Sequence, residues 1–150
     1  MEKLIVTNCA TDCSMYPEWQ PRFHDSKVLA NSITAAWRAG APIAHIHAPP
    51  EDYKAWESPT PDEFMHRIKH LPQGSYYMTS VTGATHMQLT AMSVLMGGHV
   101  RVGTEDEPYL APGKLGDNVD HVVRIVSVSR QLGREVATTD EARATLKIPA

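Results

Sequence analysis

Ala41-Pro42-Ile43-Ala44-His45-Ile46-His47 is the stretch that decides how this chain is read. It is apolar, follows Gly40 and ends in two histidines, the pattern of a buried strand. Successive side chains on a strand point to opposite faces, so His45 and His47 share one face while Ile46 takes the other. Two imidazoles on one face at a strand's end suit a divalent metal, because neutral imidazole nitrogen is a common ligand for zinc. The same spacing also fits two hydrogen-bonded histidines without a metal.

Working outward, Leu4-Ile5-Val6-Thr7 is a β-branched run and reads as the first strand. Asn8 to Pro21 reads as a loop, because Pro17 and Pro21 break a helix. Asp25 or Ser26 caps a helix whose apolar positions are Leu29, Ile33, Ala36 and Trp37, and Gly40 ends it. Past the histidines, Pro49, Pro50 and Pro59 mark a loop. Thr60-Pro61-Asp62-Glu63 then opens a helix with a capping box, its stripe being Phe64, Ile68 and Leu71. Tyr76-Tyr77-Met78-Thr79-Ser80-Val81 is the third expected strand. From Gly83 a helix runs to about Met96, with Leu89, Met92 and Leu95 or Met96 as core filler.

His99-Val100-Arg101-Val102 is the fourth strand and leads directly into Gly103-Thr104-Glu105-Asp106-Glu107. Tyr109 to Asp117 reads as a loop. Asp117 or Asn118 caps the last long helix, with Val119, Val122, Val123, Val126 and Leu132 on its apolar side. Thr138-Thr139-Asp140-Glu141 opens a short terminal helix through Leu146.

Strand followed by helix, four times over, predicts an α/β chain with a parallel sheet, read as one domain over residues 1–150. In such folds ligands collect at the carboxyl ends of the strands, where His45, His47 and Glu105 all fall. Two histidines, one carboxylate and an open position form a recurring catalytic metal site. Arg101 shares Glu105's face if the strand stays regular. It suits a carboxylate substrate, or a structural ion pair with Asp106 or another acid. Asp106 is the candidate general base. Glu107 is expected to be solvated. His86, His99 and Asp12 are weaker candidates, and His24, His66, His70 and His121 are given no role. Cys9 and Cys13 read as free thiols, or as partners of His45 and His47 in a Cys₂His₂ zinc set.

The 150 residues carry 42% hydrophobic and 21% charged side chains and a formal charge of −3. That balance predicts an ordinary soluble protein and argues against a nucleic-acid surface. No apolar run is long enough for a bilayer and no signal-peptide pattern opens the chain, so a cytoplasmic location without membrane contact is expected.

Three stretches carry a family resemblance. They are the strand-one run from Glu2 to Thr7, Ala39-Gly40-Ala41 leading to His45-Ile46-His47, and Met96-Gly97-Gly98-His99-Val100-Arg101-Val102-Gly103-Thr104-Glu105-Asp106. The ending, from Leu132-Gly133-Arg134 to Glu141-Ala142-Arg143, is similar too. The chain resembles the β-keto acid cleavage enzymes, the family of the 3-keto-5-aminohexanoate cleavage enzyme of lysine fermentation. The resemblance implies a zinc-dependent TIM barrel that exchanges acyl groups between a β-keto acid and acetyl-CoA, giving acetoacetate and a new CoA thioester. It implies His45, His47 and Glu105 as zinc ligands, with Arg101 and Asp106 as the catalytic, substrate-activating pair.

Family members are about twice this length, in line with a full barrel of ~250 residues. The first two strand-helix units, about residues 1–71, look like the family's first two, and residues 72–150 look like its last two. The chain is therefore expected to be a half barrel of four parallel units with the middle missing. Two copies pairing to close eight strands would cover its edges. The family's glutamate after strand one falls at Ser14, its Arg-His-Gln stretch appears as Ala84-Thr85-His86, and its frequent asparagine after Glu-Asp is Glu107. The alternative is a metal-binding remnant or scaffold without turnover. A cupin reading of His45-x-His47-x₃-Glu51 fails at Pro49 and Pro50, and an amidohydrolase reading lacks further ligands.

Overall fold

The computed structural model describes residues 2–9, 26–45, 62, 65, 76–83 and 85–149. Four strands form one sheet: β1 (Val6–Cys9), β2 (Ile43–His45), β3 (Met78–Thr79) and β4 (His99–Val102). Their order is β2-β1-β4-β3 and every pairing is parallel. The first strand thus lies beside the last strand of the sheet, with Thr7 in register with both Ile43 and Arg101. The helices are α1 (Ser26–Ala39), α2 (His86–Leu95), α3 (Asn118–Gln131) and α4 (Thr139–Thr145). This is an α/β layer arrangement of parallel strands with packed helices.

Asp62 and Met65 are helical, and the rest of the expected second helix, with the Thr60 cap, lies outside the described residues. The proposed caps at Asp117 and Thr138 form as the sequence predicts. Each is a capping box that satisfies backbone N–H groups at its helix start, with Asp120 and Glu141 as the reciprocal partners.

The core lies between one sheet face and the helices. Leu4, Val6, Val100 and Val102 of the strands meet Ala36 of α1, Val94 of α2, and Val122, Ile125 and Val126 of α3. Truncating a buried side chain such as Ile125 to alanine costs about 2–5 kcal/mol, since the cavity adds to the lost transfer energy.

Several expectations are corrected. Strand β1 runs to Cys9 rather than stopping at Thr7, and Leu4 makes only an isolated parallel bridge to Val136. The expected third strand contracts to Met78–Thr79. The stretch read as a loop after residue 108 holds a hairpin, β5 (Tyr109–Ala111) and β6 (Lys114–Leu115). Its turn is Pro112-Gly113 with Gly113 at φ +73°, the residue order of a type II turn. Proline and glycine signal a turn without saying whether strands flank it.

Trp37, Val123, Leu132, Leu95 and Met96 are exposed where the helical stripes placed them inside. A stripe fixes a face but not its width, and neighbours cover only the central part. Trp37 instead donates its indole N–H to Thr139 Oγ1 at 3.1 Å. No described helix is long and apolar enough to cross a membrane.

Candidate functional site

The carboxyl ends of β1 and β4 come close together because Gly103 lets them. A Cβ on Gly103 would stand 1.9 Å from the Cys9 carbonyl oxygen, so only glycine allows β4's exit to pass this close to β1's end. The turn beyond it is held from the helix side. Asn118, the first residue of α3, accepts from the Thr104 N–H at 3.1 Å and donates to Ser32 Oγ of α1 at 2.8 Å. Glu105 and Asp106 emerge from this fixed turn.

Glu105 Oε2 accepts a hydrogen bond from the Cys9 thiol at 2.7 Å. Cys9 is buried and is a free thiol. Its backbone lies in register with His45 on the neighbouring strand. The carboxylate of Glu105 therefore reaches the strand position next to the one that carries the first histidine. The His45 side chain, all of His47, Cys13, Asp12 and Ser14 lie outside the described residues. Among the described residues no three His, Cys, Asp or Glu side chains are grouped closely enough to hold a metal ion.

Arg101 lies on β4 and binds Asp106 through both carboxylate oxygens, with Nε to Oδ2 at 3.2 Å and Nη2 to Oδ1. Its distance to Glu105 is longer, 3.9 Å. Of the two readings of Arg101, the structure shows the ion pair with Asp106, with Glu105 also within 4 Å. Ser80, just past β3, donates to Asp106 Oδ1 at 3.1 Å.

Asp106 is nearly fully buried, and burial pushes its carboxyl above the ordinary range while Arg101 pulls the other way. Burial works against the Arg101 charge, but Asp106 outweighs it and the guanidinium's pKa is raised. Burial, followed by the nearby Asp106 charge, pushes the Cys9 thiol far above its usual value, so it stays a protonated donor.

The weaker histidine candidates have structural partners. His99 Nδ1 accepts from the Ile5 N–H at 3.1 Å, and burial lowers its pKa. His86 Nδ1 lies 2.7 Å from the Val81 carbonyl. Two placements differ from the sequence reading. Glu107 is buried, not solvated, and accepts from the Tyr109 N–H at 2.9 Å. His121 is buried beside His86, with ring centroids 6.2 Å apart, and its Nε2 has no hydrogen-bond partner among the described residues.

Sequence reasoning missed Ser80 and Arg134. Arg134 is buried and donates to four carbonyls, those of Glu2, Val94, Gly97 and Gly98. An arginine one residue after a helix-ending glycine carries no signal of that role.

A model of the β-keto acid cleavage enzyme family matches residues 52–148. The chain belongs to the β-keto acid cleavage enzyme family. The match contains Arg101, Glu105 and Asp106 and begins after His45 and His47. Among curated members, a 3-keto-5-aminohexanoate cleavage enzyme of Fusobacterium nucleatum is 43% identical over 79 residues, 52% of this chain and 29% of that protein. One of Acetoanaerobium sticklandii is 37% identical over 92 residues, 61% of this chain and 34% of that protein. A 3-dehydrocarnitine:acetyl-CoA trimethylamine transferase of Rhizobium meliloti is 33% identical over 94 residues, 62% of this chain and 31% of that protein. The matched part of the chain thus spans about a third of the length of these family members.

Proposed function

We propose that this chain carries the metal-holding and proton-transferring part of a β-keto acid cleavage site. The reaction is acyl exchange between a β-keto acid and acetyl-CoA, giving acetoacetate and a new CoA thioester. The observation that carries this reading is Asp106, buried, held by Arg101 and Ser80, and adjacent in the chain to a Glu105 that reaches the end of β1.

His45, His47 and Glu105 would hold the zinc. The donor set fits, because Glu105 meets Cys9, whose neighbour in register is His45. Bound there, zinc would polarise the substrate's keto oxygen as a Lewis acid. Asp106 takes a proton from the carbon between the keto and carboxylate groups. Arg101 fixes the Asp106 carboxylate and offsets its charge before the proton arrives. The resulting carbanion attacks the thioester carbonyl of acetyl-CoA and expels the CoA thiolate; the thiolate then attacks the former keto carbon, and cleavage of the carbon–carbon bond there releases acetoacetate and the new CoA thioester. Ser80 leaves Asp106 Oδ2 free of its own contact, so the two oxygens are held differently.

A stable closed barrel would need eight strands. We infer that two chains supply four each, β3 of one pairing with β2 of its partner and the reverse, around a two-fold axis along the barrel. Among the described residues β2 and β3 are the sheet's edges, and all four strands run the same way, as such a closure requires. Light scattering on the purified chain should give twice the monomer mass; a stable monomer removes the closure.

A second reading, a metal-binding remnant without turnover, is favoured by Ser14 and Ala84-Thr85-His86 standing where the family carries a glutamate and an Arg-His-Gln stretch. A coupled assay of acetoacetate release from β-keto acids and acetyl-CoA, with metal content measured on the same sample, separates the two. Turnover lost in Glu105→Ala supports the enzyme reading. Bound zinc with no turnover supports the remnant, and turnover unaffected by Glu105→Ala removes zinc from the mechanism.

A further inference from the structure

Three features fix the backbone around Glu105. The Cys9 carbonyl packs against Gly103, Asn118 holds the Thr104 N–H, and Asn118 is itself tied to Ser32. What the backbone leaves open is the rotation of the Glu105 side chain. Arg101 makes its close contacts to Asp106 and stands farther from Glu105, with Oε1 3.9 Å away. A contact to Glu105 at hydrogen-bond distance comes from Cys9, Sγ to Oε2 at 2.7 Å.

We propose that Cys9 is a positioning residue for Glu105, holding its carboxylate in the orientation that a cation at the strand ends requires. This rests on the metal reading above and extends it to a residue that the ligand set leaves out. The chemistry favours a donor over a ligand. A buried thiol is a weak donor with one hydrogen, and each carboxylate oxygen can accept more than one partner. Cys9 therefore orients Oε2 without using up its capacity to bind metal. Cys9 is fully buried on β1 and paired in register with β2. Hydrogen bonds that orient metal-binding side chains are worth about 10–100-fold in metal affinity when removed.

The test is zinc titration of the full chain against a competing chromogenic chelator, together with the absorption spectrum of the cobalt(II) form. Cys9→Ala and Cys9→Val remove the donor, the second keeping the site filled with apolar side chain, and Cys9→Ser restores one. Thermal melting establishes that each variant folds, and Cys9→Val carries the test should Cys9→Ala fail to. Zinc affinity is expected to fall about 10–100-fold without the donor and to return to within a few-fold in Cys9→Ser. The wild-type cobalt spectrum is expected to lack a thiolate-to-metal charge-transfer band.

Unchanged zinc affinity in both donor-free variants overturns the proposal. So does a charge-transfer band that vanishes in Cys9→Ser, which would make Cys9 a direct ligand. Wild-type protein that binds zinc no better than Glu105→Ala overturns the metal reading itself, and this proposal with it.

Discussion

The Arg101 guanidinium grips Asp106 through both carboxylate oxygens, five residues along the chain and across the turn that Gly103 opens. The pair is largely shielded from water, so its two charges depend on each other. Removing one partner strands the other, which costs far more than the pair's net worth. Arg101→Met is expected to lower stability by about 3 kcal/mol, and adding Asp106→Asn to recover much of that loss. Urea denaturation of the two single variants and the double variant measures both. A double variant no better than Arg101→Met would show that Asp106 is not what suffers.

His121 supplies a pH dependence. Burial first, then the charges of His86 and Arg124, lowers its pKa to about 4, while Asp120 opposes them. In the unfolded chain the group titrates near its ordinary value of about 6.5. Between these values the unfolded state binds the extra proton. The stability that neutral His121 contributes is thus complete above about pH 6.5 and lost as pH falls toward 4, up to about 3 kcal/mol. Melting temperatures from pH 7 to pH 4 should show a steeper fall in the wild type than in His121→Gln. Parallel profiles would remove His121 as the cause.

Arg134 ties the chain's beginning to the end of α2. Its four carbonyl acceptors include three at or just beyond the carboxyl end of that helix, where backbone oxygens have no intrahelical partner. Arg134→Ala is expected to cost about 2 kcal/mol, because the buried Gly98 carbonyl loses its Arg134 donor and the buried guanidinium's packing goes with it. Arg134→Lys should recover only part, since an ammonium cannot span the same fork. Chemical denaturation of both variants checks this, and equal stabilities for the two would sink it.

Gly103→Ala forces a methyl into the Cys9 carbonyl, with 1.9 Å where ordinary contact is needed. The ends of β1 and β4 must then separate. We expect a loss of at least about 2 kcal/mol, together with lower zinc affinity, as Glu105 leaves Cys9. Equilibrium unfolding and chelator competition read the two effects independently.

Much of this was legible in the sequence, and the reason is that the signals are local. Repeated strand-helix alternation announced a parallel sheet, Asp117 and Thr138 announced their helix starts, and the Gly98 to Asp106 run pointed to the family. Each depends on residues within a few positions of one another, where backbone preference and periodicity act. The remaining facts join residues far apart in the chain. That Cys9 meets Glu105, that Arg134 reaches Glu2 and Gly98, that His121 and Glu107 are buried, and that Trp37 is not, follow from which surfaces the packed helices and strands cover. No short window of sequence holds that information, because burial is a property of the assembled neighbours and not of the residue.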